Sequence, residues 1–277
     1  MIPEAFIDEW AQTHPWSTVA MVEQDLLISR ALVAIFSDSF LQRELAFRGG
    51  TALHKLYLCP QPRYSEDIDL VQINPGPIRP VIDHLRDALA FLGEPSTKRT
   101  PMSNKLLFRV QSEDAATPMI RIKIEINCRE HFNVLSWKQF PYAVNNSWFS
   151  QECHITTYEL DELLGTKMRA LYQRSKGRDL FDLHKALNSA YVDVGRVLNS
   201  FARYMHFSTG YIPTQKEFEM NMESKLLDSD FLSDTDPILL PGTIFSPEQA
   251  YDQIHNQLIS RIDSIRAAYM AEGSCLT

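Results

Sequence analysis

Asp67 and Asp69 stand two residues apart in RYSEDIDL (residues 63–70), with an apolar run beginning at Leu70. If this segment is a strand, positions i and i+2 project to the same side. Both carboxylates then leave one face, with Ile68 and Leu70 packing behind. Like charges this close either raise one pKa or hold a hard cation between them. A strand end whose acids pair with Arg63 or Lys123 satisfies the same pattern, and a bare D-x-D is short and common.

Three further groups bear on that choice. Upstream, RGGTALHKL (residues 48–56) places Gly49, Gly50 and Thr51 where a strand gives way to a helix. Unpaired N–H groups at such a helix start form a phosphate cradle. A tight turn with Thr51 as N-cap is the plainer reading. Downstream, MIRIKIEIN (residues 119–127) puts Ile120, Ile122, Ile124 and Ile126 on one strand face and Arg121, Lys123, Glu125 and Asn127 on the other. Glu125 completes a three-carboxylate cluster if this strand neighbours the D-x-D strand; otherwise it is a cross-strand ion-pair partner. Finally, Lys167, Ala170, Leu171 and Arg174 share one helical face, and Asp179 and Asp182 share another. Residues 167–185 hold six Lys or Arg against two Asp, a local +4.

The elements that must position these groups follow from periodicity. Residues 17–45 read as one long helix, capped by Ser17 or Thr18, with Glu23 and Asp25 near its positive end and Val22, Leu26, Leu27, Ala31, Val33 and Ala34 along one face. A short strand, the glycine turn and a helix come next. EDIDLVQI reads as a strand ended by NPGP, and residues 78–92 as a helix. Residues 105–112 and 119–127 read as strands. From Thr156 onward the pattern is helical, with a break at SKG (residues 175–177) and an acidic, turn-rich stretch at 217–237. That stretch is a solvated surface or a partner contact. The order of elements predicts an α+β fold: a mixed sheet backed by helices.

The chain has 277 residues, which predicts two domains, 1–150 and 151–277. Its net charge of −8 excludes nucleic-acid binding over the whole surface and confines any such contact to a local patch. Lys98, Arg99, Lys105, Arg109 and Arg129 are candidates to extend the basic stretch. Cys59, Cys128, Cys153 and Cys275 show no zinc-ligand spacing and read as free thiols. The N-terminus has no apolar signal-peptide core, and no apolar run approaches membrane-spanning length. A cytoplasmic protein with no membrane contact is expected.

With its motifs in this order, the chain resembles the abortive-infection AbiEii-type nucleotidyltransferase toxins, including the MenT toxins, of the DNA polymerase β-like nucleotidyltransferase superfamily. The resemblance runs over most of the chain. It rests on EQDLLISRALVAIF (23–36), FRGGTAL (47–53), RYSEDIDL (63–70), GTKMRALYQR (165–174) and KGRDLFDL (176–183). It implies a polymerase-β-like sheet domain, then a mainly helical domain that completes the cleft. Gly50 and Thr51, with Gly49 beside them, are then the triphosphate turn; Arg63 and Ser65, by their place next to the aspartates, and Arg174, by the face it shares with Lys167, are further candidate substrate contacts. Asp67 and Asp69 are the metal carboxylates, with Glu125 as third candidate. Lys167 is expected on phosphate, and Asp179 and Asp182 position groups in the cleft. Gly-Gly-Thr replaces the superfamily's usual Gly-Ser, and the segment from Thr51 to Asp67, with CPQPR, is longer than usual.

The chemistry so implied is in-line attack of a hydroxyl on the α-phosphorus of an NTP, with Mg²⁺ (or Mn²⁺) and release of pyrophosphate. The implied acceptor is RNA, the tRNA 3′ end, so that translation fails, and a neighbouring gene would encode the antitoxin. Transfer to a protein or small-molecule hydroxyl, and a non-catalytic nucleotide-binding scaffold, remain alternatives. Ser65 is either a turn serine or a position where phosphorylation would block triphosphate.

Overall fold

The computed structural model describes residues 2–189 and 191–274, and the chain divides at the Tyr158–Glu159 bond into two compact units. Cys275 lies outside the described residues; Cys59, Cys128 and Cys153 are free thiols.

The first unit opens with helices α1 (Glu4–Ala11) and α2 (Val19–Ser37). The Thr18 hydroxyl caps α2 by accepting the Met21 N–H. The single helix expected over 17–45 is instead broken at Asp38. Its carboxylate accepts the N–H groups of Phe40 and Leu41 and starts α3 (Ser39–Glu44). Glu23 and Asp25, expected to complement the dipole of α2, are fully buried. Asp25 accepts from Trp10 Nε1 at 2.9 Å and Lys55 Nζ at 2.8 Å, and Glu23 accepts from the Ser112 hydroxyl at 2.7 Å. The helix is therefore enclosed nearly all round.

The chain continues through β1 (Leu45–Arg48), α4 (Gly49–Ala52), a wider helical turn (Leu53–Tyr57), β2 (Asp67–Gln72) and α5 (Arg79–Ala88). Strands β3 (Ser96–Arg99), β4 (Ser103–Gln111), β5 (Met119–Asn127), β6 (Trp137–Asn146) and β7 (Phe149–Tyr158) follow. They form a mixed seven-stranded sheet in the order β3-β4-β5-β2-β1-β7-β6. β2 runs antiparallel to β1 and parallel to β5. The even-numbered isoleucines of β5 are at most 2% exposed, and α2 packs on β5, β6 and β7. Residues 96–99 and 137–158 carried no strand expectation. β3 is polar and exposed throughout, and in β6 the alternation of Phe140, Tyr142 and Val144 is interrupted by Pro141, a residue that argues against a strand. The boundary expected near 150 falls inside β7.

The second unit is helical: α6 (Leu160–Gln173), α7 (Gly177–Ser189), α8 (Val194–Thr209), α9 (Gln215–Leu226), α10 (Ser229–Ser233), α11 (Pro247–Gln257) and α12 (Ile262–Ser274). Thr156–Tyr158, expected to be helical, belong to β7. Gly165 lets α6 lie against α8: a Cβ there would stand 2.5 Å from Ser200 Cβ and 2.8 Å from the Val197 carbonyl. Lys225 donates to the Leu171 and Tyr172 carbonyls at the end of α6.

Candidate active site

β2 carries Asp67 and Asp69 on one face, each partly exposed, with Ile68 and Leu70 buried behind them. Three strands meet here in register. Asp69 lies opposite Arg48 of β1 on one side and Glu125 of β5 on the other, and Asp67 lies opposite Lys123. The even–odd pattern of β5 thus places Glu125 beside the aspartate pair.

The groups differ in what they touch. Lys123 Nζ is 2.7 Å from Asp67 Oδ2. Glu125 is bound by the Ser103 hydroxyl at 2.7 Å and Lys105 Nζ at 3.0 Å. Burial pushes the Glu125 pKa up, but Ser103 and Lys105 outweigh it and the net shift is downward. Asp69 makes no hydrogen bond or ion pair among the described residues. Burial, then the charge of Asp67, holds its pKa above the usual carboxylate range.

Gly49 guards the other side of Asp69. Its φ of +79° favours glycine, and a Cβ built on it would collide with Asp69 Oδ2. No side chain caps the helix that Gly49 opens, so its first N–H groups lack a side-chain acceptor. The glycine turn and the aspartates are one structure. Thr51 Oγ1 donates to the Asp67 carbonyl, so the Ser65 hydroxyl, 2.8 Å away, donates to Thr51.

These contacts sort the expected residues. Asp67, Asp69, Gly49 and Gly50 come together as expected, with Glu125 one strand away. The Thr51 side chain, 1% exposed, latches the turn to β2 and is not offered to a phosphate. Ser65 shares that latch. Arg63 is 2% exposed and donates to the Tyr64 carbonyl, so it is a poor triphosphate contact. Glu125 is turned into Ser103 and Lys105; among the described residues no three acid, His or Cys side chains form a ready-made metal cage. Ser103 was missed as a site residue, Lys105 was weighed only as part of a basic patch, and Lys123 only as an ion-pair partner. Their signal was the polar face of β5 and the register of its neighbours.

A hard divalent cation fits the donor set. Carboxylate oxygens on one strand face are hard ligands, Asp69 lacks a partner, and the Lys123 ion pair engages only Oδ2 of Asp67. Mg²⁺ commonly takes one or two protein carboxylates and fills its remaining positions with water and substrate phosphate, so a third carboxylate is not required.

In the second unit, Lys167 Nζ lies 3.0 Å from Asp179 and 2.9 Å from Asp182, and Arg174 binds Asp179 through two nitrogens at 2.7 and 2.9 Å. The Lys167 side chain is only 7% exposed and both aspartates are fully buried. Lys167, expected on phosphate, is a structural tie between α6 and α7. Burial raises the Asp179 pKa, but Lys167 and Arg174 reverse the shift and leave it low.

A mixed sheet bearing a paired aspartate beside a glycine helix start defines a nucleotidyltransferase fold. Solved structures agree on that fold. MenT4, the nucleotidyltransferase toxin Rv2826c of Mycobacterium tuberculosis H37Rv, is 13% identical with a TM-score of 0.60, over 96% of this chain and 90% of its own. JHP933 of Helicobacter pylori is 17% identical with a TM-score of 0.53, over 95% of this chain and 100% of its own. No protein of curated function matches the sequence. Residues 30–257 match the family "Nucleotidyl transferase AbiEii toxin, Type IV TA system", and the chain belongs to that family. Membership implies an NTP substrate and an antitoxin partner. No described helix is long and apolar enough to cross a membrane.

Proposed function

We propose that this protein transfers a nucleotide from an NTP to the 3′ hydroxyl of an RNA, with tRNA as the favoured acceptor, and thereby blocks translation. The observation that carries the reading is Asp69: a partly buried carboxylate without a direct partner, kept clear by Gly49 beside an uncapped helix start. In this reading the Gly49 and Gly50 N–H groups receive triphosphate oxygens. Asp67 and Asp69 would hold Mg²⁺, with Lys123 remaining beside Asp67. When bound, the cation lowers the pKa of the attacking hydroxyl and offsets charge on the triphosphate. The Thr51–Ser65 latch keeps the phosphate turn and the aspartates at fixed separation. The RNA oxygen bonds to the α-phosphorus, the α–β bond breaks, pyrophosphate leaves, and the hydroxyl proton goes to solvent. The residues given a step all lie in the first unit.

Each labelled NTP, incubated with the protein, Mg²⁺ and total RNA, tests this. Label should enter RNA of tRNA size. Label on protein instead would move the acceptor to a protein hydroxyl, and intact triphosphate throughout would leave a non-catalytic nucleotide binder.

A further inference from the structure

We propose that the β3–β4–β5 face beside Asp67 and Asp69 docks the sugar–phosphate backbone of a single-stranded RNA acceptor end through Lys98, Arg109 and Arg121. The inference rests on the RNA reading above and names the surface that would serve it.

The register carries the argument. Lys98 pairs with Lys105, Lys105 with Glu125, and Glu125 with Asp69. Paired residues project to the same side of a sheet, so this row runs from the aspartates to the edge strand on one face. Neighbouring strands lie about 4.8 Å apart, so Lys98 is about 14 Å from Asp69 along the row. On the same face, Arg109 of β4 lies directly opposite Arg121 of β5. Like charges directly opposite one another destabilise a sheet. Here there are two such pairs, Lys98–Lys105 and Arg109–Arg121. Lys105 is relieved by Glu125 and Lys123 by Asp67. Lys98, Arg109 and Arg121 are exposed and have no ion-pair partner among the described residues.

A chain of net charge −8 that keeps five cations on this face, against Glu125 and the two aspartates at its end, complements a polyanion. Single-stranded RNA fits best, because phosphate contacts position a strand without reading its bases. The same register sorts the other candidates. Arg99 pairs with Asn104 and points to the opposite face. With Arg79 and Arg86 it lines a cleft of about 230 Å³ along β3 and β4, which Lys98 and Lys105 also border. Arg129 lies beyond the end of β5.

That cleft supplies a control with the same loss of charge. Binding of a short fluorescein-labelled single-stranded RNA would be titrated against salt for wild type, K98Q/R109Q/R121Q and R79Q/R86Q/R99Q. The first triple should bind about tenfold more weakly, with a log–log salt slope shallower by about two, the expectation for three lost phosphate contacts on a single strand. The second should match wild type. Equal weakening in both triples, or unchanged affinity and slope in the first, would overturn the docking face. If wild type labels RNA while the first triple binds it normally, only the docking face falls. If wild type neither binds nor labels RNA, the RNA reading falls with it.

Discussion

Asp69 decides most of the chemistry at the residue scale. Its pKa is raised by burial and by Asp67, which has a consequence for stability as well as for binding. Between the unfolded value and the raised folded value, the folded state holds more protons than the unfolded one. Stability therefore falls as pH rises through that window, and the loss persists above it. In chelator at neutral pH, Asp69→Asn should raise the thermal midpoint while abolishing transfer. Calorimetry from acid to neutral pH should show wild type losing stability relative to the variant across the window. Mg²⁺ should raise the wild-type midpoint and leave the variant almost unmoved, since a ligand stabilises only the state that binds it. A variant midpoint equal to or below wild type in chelator would remove the unpartnered-carboxylate argument.

Gly49 is the second residue with a sharp expectation. A β-carbon there meets both the positive φ and Asp69 Oδ2. Gly49→Ala should cost about 1–3 kcal/mol in urea unfolding and lower transfer by moving the carboxylate. Unaltered activity would show that Asp69 has room to move.

Among the elements, the strand pair β2–β5 and the helix pair α6–α7 carry the main constraints. Lys167 joins α6 to two fully buried aspartates of α7. Removing one partner of a buried ion cluster strands the opposite charge, at about 3–5 kcal/mol. Lys167→Met should therefore lose that much stability in urea, and inactivity of this variant would report folding before it reported phosphate binding. Thr51→Val tests the latch between the glycine turn and β2. It should cost about 1–3 kcal/mol by leaving the Asp67 carbonyl and the Ser65 hydroxyl without their partner. A variant as stable as wild type would contradict the latch.

Legibility in the sequence divides along the same line. β5 was readable because its isoleucines keep strict period two, and β2 and the glycine turn because charge and glycine interrupt apolar runs. β3 was not, because it is wholly polar, and β6 was not, because Pro141 interrupts the alternation of Phe140, Tyr142 and Val144. The fate of Glu125 was half visible: the pattern placed its side chain on the right face, but Ser103 and Lys105 come from another strand. Lys167 and the Asp25–Lys55 pair show the same limit. Spacing reports a shared face; it does not report which charge across the fold occupies it.

For the whole molecule, the two units hold different kinds of charge. The first concentrates an aspartate pair and neighbouring cations on one sheet face; the second encloses its lysine–aspartate cluster. The acidic stretch 217–237 lies on α9, α10 and their flanks, where Glu217 caps α9 and Asp234 pairs with Lys176 and Arg178. Those acids therefore have structural work, whatever they offer to an antitoxin.

The central claim is that an RNA hydroxyl attacks an NTP at the Asp67–Asp69 centre. The most direct measurement is pyrophosphate release with Mg²⁺ and NTP, with tRNA bearing an intact 3′ end or the same tRNA after periodate oxidation. The account predicts release only with the intact 3′ end, and none from Asp69→Asn. Equal release with oxidised tRNA, or release that persists in Asp69→Asn, would contradict it.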